Sequence, residues 1–123
     1  MQPDNPSEPQ AASPLLVAAL CAQWCNTCTT YQPQFEAQEA SFGSRARCVW
    51  IDIEDQAEVM GALDVENFPT LLIARGDEVL FFGTVLPHVQ TMVRLVQSAL
   101  TGDLKPVQDD EVRALARRVR AVV

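Results

Sequence analysis

Two thiols stand two residues apart in Trp24-Cys25-Asn26-Thr27-Cys28. A pair spaced like this either closes reversibly into a small disulfide or supplies half the ligands of a zinc ion. An apolar run from Leu15 to Leu20 leads into the pair, and a helical pattern starting near Asn26 leads away from it. That order places Cys25 at a helix N-terminus, where unpaired N–H groups and the helix dipole favour a thiolate. The helix partly buries Cys28 beneath its partner. A reachable thiolate with a shielded second thiol is a redox pair. Zinc needs two further ligands nearby. Cys21 lies four residues before Cys25, but neither Cys48 nor His88, the only histidine, has a spacing that points to the pair. Cys21 and Cys48 read most simply as small buried strand residues. An auxiliary disulfide, or exchange of Cys21 with Cys25, is the other reading and depends on strand geometry. His88 follows Pro87 and reads as a surface residue in the first turn of a helix.

The 123 residues suit one domain with one modest core. A net charge of −7 argues against non-specific nucleic-acid binding. No apolar run approaches the roughly 18 residues of a membrane span. Residues 1–13 are acidic, punctuated by Pro3, Pro6 and Pro9, and lack a basic n-region, so they read as a flexible tail rather than a signal peptide. The default setting is then cytoplasmic and reducing, where a CxxC is redox or metal chemistry rather than a structural staple.

Several elements must position the pair. Leu15 to Cys21 reads as a strand buried on both faces. From Asn26 to Phe42 the residues Cys28, Tyr31, Phe35 and Phe42 form one apolar helical face, kinked at Pro33 and ended by Gly43. Arg47 to Ile53 supplies a second strand. Asp55 and Glu58 have capping-box spacing for a short helix burying Val59, Met60 and Leu63 and stopping near Asp64. Phe68-Pro69-Thr70 opens a third strand running to Ala74, and Gly76-Asp77 turns it into an antiparallel fourth, Glu78 to Phe82. Phe81 and Phe82 must face opposite sides. Pro87 suits the first turn of a helix striped by Val89, Met92, Val93, Val96 and Leu100. Beyond Pro106, Asp109 or Asp110 caps an amphipathic helix with Val112, Leu115, Ala116 and Val119 on one side. That helix also carries Arg113, Arg117, Arg118 and Arg120, four of the nine basic residues. The bland reading is a packed helix with a solvated basic face, and the sharper one is a helix that docks a partner.

From Leu15 to Gly102 the chain resembles the thioredoxin superfamily. The resemblance rests on Trp24-Cys25-x-x-Cys28, Pro33 five residues beyond, Phe68-Pro69-Thr70, and Gly83 near the end of the hairpin strand. It implies an α/β, thioredoxin-like fold with a central mixed sheet flanked by helices, a shortened N-terminus and an extra C-terminal helix. The implied divisions are a tail (1–13), the thioredoxin-like domain (14–102) and a packed C-terminal helix (103–123). It also implies a cis Phe68–Pro69 bond facing the dithiol across a substrate groove lined by Trp24, Asn26, Thr27, Phe68, Pro69 and Gly83. In the implied mechanism Cys25 attacks a substrate disulfide, and Cys28 resolves the mixed disulfide to leave Cys25–Cys28. No cofactor or metal takes part. The partners are a disulfide-containing protein and a recycling reductant or reductase, and the chain acts as a monomer without nucleic acid or membrane.

The departures from the family pattern matter as much. Asn26-Thr27 stands where thioredoxins carry Gly-Pro, and that dipeptide tunes the redox potential. Thioredoxins bury an Asp–Lys pair that helps deprotonate the second cysteine. Here Ala19 falls at the Asp position and Trp50 at the Lys position, with Glu54 a weak substitute. The C-terminal helix is expected to cover surface left by the short N-terminus. The reading is a thiol-disulfide oxidoreductase that reduces protein disulfides. The alternatives are a dithiol oxidant or isomerase, and a non-catalytic binding module.

Overall fold

A computed structural model describes residues 14–123 apart from Ala62 and Asp64. The tail expected over residues 1–13 lies outside the described residues, as does the helix end expected at Asp64.

Strand β1 (Leu15–Cys21) is buried along its whole length, as an unbroken apolar run requires. It pairs in parallel with β2 (Ala46–Asp52) and antiparallel with β3 (Thr70–Arg75), which in turn pairs antiparallel with β4 (Glu78–Thr84). The sheet is therefore mixed, in the order β2-β1-β3-β4. Gly76 makes the hairpin turn at φ +58°, a conformation that costs glycine little.

Side-chain alternation along β1 sorts the core into two layers. Leu15, Val17 and Ala19 face helix α1 (Asn26–Ala37), the short α2 (Glu39–Phe42) and α4 (Val89–Leu100), meeting Tyr31, Phe35, Phe42, Met92 and Val96. Leu16, Ala18 and Leu20 face the other way, onto the short α3 (Ala57–Met60) and onto α5 (Asp110–Val122), meeting Val59, Val112, Leu115 and Val119. Phe81 packs in the first layer and Phe82 in the second, as their adjacency demands. Asp109 caps α5, its carboxylate accepting from Glu111 N (2.9 Å) and Val112 N (3.1 Å).

The expected helical details need four corrections. The single helix expected from Asn26 to Phe42 is two, divided at Gln38, with Pro33 inside the first. There Gln38 N–H reaches back to Phe35 O at 3.1 Å, and Ser41 N–H to Gln38 O at 3.0 Å, three-residue bonds that tighten the turn. Asp55 does not cap α3, whose N-cap is Gln56 without a side-chain bond. Asp52, closer to the strand end, accepts from Glu54 N (2.9 Å) and Asp55 N (3.2 Å) through Oδ1 and forms the turn itself. The helix ends at Met60, with Gly61 at φ +57°, so Leu63 is only half-buried. Pro87 precedes α4 rather than opening it, and His88 is the exposed N-cap.

Candidate active site

The turn between β1 and α1 is closed by Cys25 N–H donating to Ala22 O (3.0 Å). Cys25 is the N-cap of α1, in extended conformation, and its carbonyl accepts from Thr29 N (3.1 Å) and Thr29 Oγ1 (3.2 Å). Its side chain is half-exposed and its thiol is free. Cys28, one turn into the helix, is 2% exposed, as the apolar spacing with Tyr31 and Phe35 predicts.

The disulfide is not the expected one. Cys28 is joined to Cys21, whose Cα lies 5.9 Å away, inside the usual span of a disulfide. Strand parity explains the pairing: Cys21 continues the series Leu15, Val17, Ala19 onto the α1 side of the sheet, beneath the first turn of the helix. Cys21 is thus part of the site rather than an inert strand residue, and the signal for it lay in that odd-numbered series. Cys48 does not join the cluster. Its thiol is pushed up from 9.0 to about 12, first by burial and then by the Glu39 carboxylate.

Trp24 is 64% exposed and forms a wall beside Cys25. Its Nε1–H donates to Glu54 Oε2 (2.7 Å), and its ring meets Phe68 edge-on at 5.7 Å. The loop before β3 is thereby held beside the CxxC turn. The Phe68–Pro69 bond is cis, with Pro69 buried and its carbonyl accepting from Val85 N (3.0 Å). Asn26 and Thr27 are exposed on the first turn. Gly83 lines a cleft with Val65, Glu66, Asn67, Thr70, Phe82 and Thr84.

Ala19 and Trp50 are direct partners across β1 and β2. Where the resemblance places a charged pair there is a methyl group against an indole, and the indole packs with Tyr31 (6.4 Å) and Phe35 (5.9 Å). Among the described residues no Asp, Glu, Lys, Arg or His is in the fully buried class. Glu54 does not replace the missing acid, because it is exposed and turned to Trp24. Asp52, which sequence reasoning missed, lines the cleft that reaches Cys28, with Trp50 and Asp55. It is the register partner of Cys21, and that partnership was hidden until the strands were aligned. No three His, Cys, Asp or Glu side chains among the described residues converge to hold a metal.

A family model described as Thioredoxin matches residues 7–88. The chain is 28% identical over 76 residues to a thioredoxin of Bacillus subtilis (strain 168), covering 62% of this chain and 73% of that protein. The solved thioredoxin of Trypanosoma brucei brucei superposes with a TM-score of 0.63 at 20% identity, over 76% of this chain and 81% of that one. The germline-specific thioredoxin Deadhead of Drosophila melanogaster gives a TM-score of 0.63 at 19% identity, over 72% and 83%. These two structural likenesses show a shared fold.

Proposed function

The chain belongs to the thioredoxin family, and from that premise we propose that Cys25 attacks and Cys28 resolves in the reduction of protein disulfides. Thiol-disulfide oxidoreduction is the activity of the enzyme, with disulfide-bearing proteins as substrates and a recycling reductase as partner. The roles of the two thiols rest on one observation: Cys25 is a free, half-exposed thiol at the helix start, and Cys28 is buried one turn behind it. Attack by Cys25 on a substrate disulfide forms a mixed disulfide and releases one substrate thiolate. Attack by Cys28 on the Cys25 sulfur releases the other, and two electrons have passed to the substrate. The exposed Trp24 edge, with Phe68 and Pro69 behind it, is the surface against which an extended substrate segment lies, flanked by Asn26 and Thr27.

The same reading makes residues 14–102 the catalytic domain and 103–123 an added helix, in a monomeric cytoplasmic protein. The net charge of −7 favours protein over nucleic-acid partners. No helix among the described residues is long and apolar enough to cross a membrane.

Insulin reduction with dithiothreitol tests the assignment. Cys25→Ser should fall to the uncatalysed rate, and Cys28→Ser should accumulate a mixed disulfide on Cys25. A Cys25→Ser protein that still works at the wild-type rate would remove Cys25 from the mechanism.

A further inference from the structure

We infer that Cys21 is a third redox thiol, which takes Cys28 from Cys25 and returns Cys25 to the free state in the oxidised enzyme. The inference rests on the assignment of Cys25 and Cys28 above and adds a step after it. Cys21 sits at the end of β1 on the face that α1 covers, 1% exposed, bonded to a Cys28 that is 2% exposed. Cys25 is left as a half-exposed thiol. Cys28 therefore has two partners, one at the surface and one beneath it.

The step balances without an external oxidant. Substrate reduction leaves Cys25–Cys28 and a Cys21 thiol. The Cys21 thiolate attacks Cys28 Sγ, the Cys21–Cys28 bond forms as the Cys25–Cys28 bond breaks, and Cys25 departs as the thiolate. The proton lost by Cys21 is returned to Cys25 or to water. No electrons enter or leave, so the two oxidised forms are isomers. They differ in what they can do. With Cys28 engaged, a mixed disulfide on Cys25 has no resolving neighbour, so the enzyme can exchange substrate disulfides but cannot reduce them. Recovery runs backwards. External reductant reaches two sulfurs this buried only slowly, so the faster route has Cys25 attack Cys28 and carry the bridge to the surface.

Mapping the bridge tests this. Wild type, Cys25→Ser and Cys21→Ala are oxidised with glutathione disulfide, blocked with N-ethylmaleimide and digested under non-reducing conditions with chymotrypsin. Cleavage after Trp24 separates Cys21 from Cys25 and Cys28. A Cys21–Cys28 bridge then joins two peptides, whereas a Cys25–Cys28 bridge stays within one. Wild type and Cys25→Ser should both give the joined peptides, with Cys25 of wild type carrying the label. Cys21→Ala should move the bridge to Cys25–Cys28 and lose that label. The Cys25→Ser bridge should also resist dithiothreitol several-fold longer than the wild-type bridge. A wild-type bridge that maps only to Cys25–Cys28, or a Cys25→Ser protein that forms no Cys21–Cys28 bridge, overturns the inference. Insulin turnover by the same wild-type preparation separates the two failures. Turnover without the Cys21 bridge leaves the oxidoreductase assignment standing, and no turnover defeats both.

Discussion

Replacing Cys48 by alanine should flatten the alkaline limb of the stability curve. In the folded chain burial raises the Cys48 thiol from 9.0 to about 12, with the Glu39 carboxylate adding to the shift. Neighbouring Tyr31 rises from 10.0 to about 12, through burial first and the Cys48 charge second. A raised value means that the folded state keeps its proton where the unfolded chain has lost it. The stability tied to neutral Cys48 is therefore whole below pH 9 and drains away as the pH climbs from 9 towards 12. One group titrating in only one state changes the unfolding free energy by at most about 1.4 kcal/mol per pH unit; Cys48 is only partly buried and solvent screens its charge, so it removes about 1 kcal/mol by pH 10.5. The assay is urea unfolding followed by tryptophan fluorescence at pH 8 and 10.5, with both proteins kept reduced by a phosphine. Other thiols then cancel in the difference. The gap between wild type and Cys48→Ala should shift by ~1 kcal/mol in favour of the variant. Tyr31 Oη is buried with no hydrogen-bond partner, so adding Tyr31→Phe should cost little at pH 8 and flatten the curve further above pH 10. A gap that stays constant across pH would refute the account of the Cys48 environment.

Two further predictions concern the second layer of the core. Leu115 of α5 is fully buried against the sheet, so Leu115→Ala should lower stability by roughly 2–5 kcal/mol, seen as a lower urea midpoint at unchanged slope. An unmoved midpoint would mean that α5 adds nothing to the core. The Arg118 guanidinium donates to the carbonyls of Val59 and Met60 at the end of α3. Arg118→Met keeps the apolar stem and should still cost about 1–3 kcal/mol, because two helix-end carbonyls lose a charged donor; equal midpoints for the two proteins would assign those carbonyls to water.

Much of the architecture could be read from residue order. The unbroken apolar run of Leu15–Cys21 reads as a strand buried on both faces, and Asp109 or Asp110 with Val112, Leu115, Ala116 and Val119 announces a capped amphipathic helix. Cys25 and Cys28 were legible because two residues of helix separate an exposed start from a buried first turn. Trp24 and Phe68 were named for the groove from family likeness, and their edge-on contact appears only in three dimensions. Local competition was less legible. Asp52 and Asp55 both suit the turn after β2, and only the strand's exact end decides between them. The partner of Cys28 was hidden for a related reason. Sequence distance favours Cys25, but parity along β1 and the turn at Ala22 bring Cys21 under the helix. The missing charged pair was foreseeable at Ala19 and Trp50. The aromatic packing that fills its place depends on Tyr31 and Phe35 arriving from another element.

Among the described residues, β2 has a neighbour on one side only, so its outer rim presents backbone groups to whatever arrives. One of them is already occupied, because the Cys48 amide donates to Glu39 Oε2 at 2.9 Å. A foreign strand seeking to extend the sheet there must evict a carboxylate and then lie beside its charge, which disfavours strand addition along that border. The side chain that helps keep the Cys48 thiol protonated thus also guards the sheet against another chain, and neutralising Glu39 would weaken both protections together.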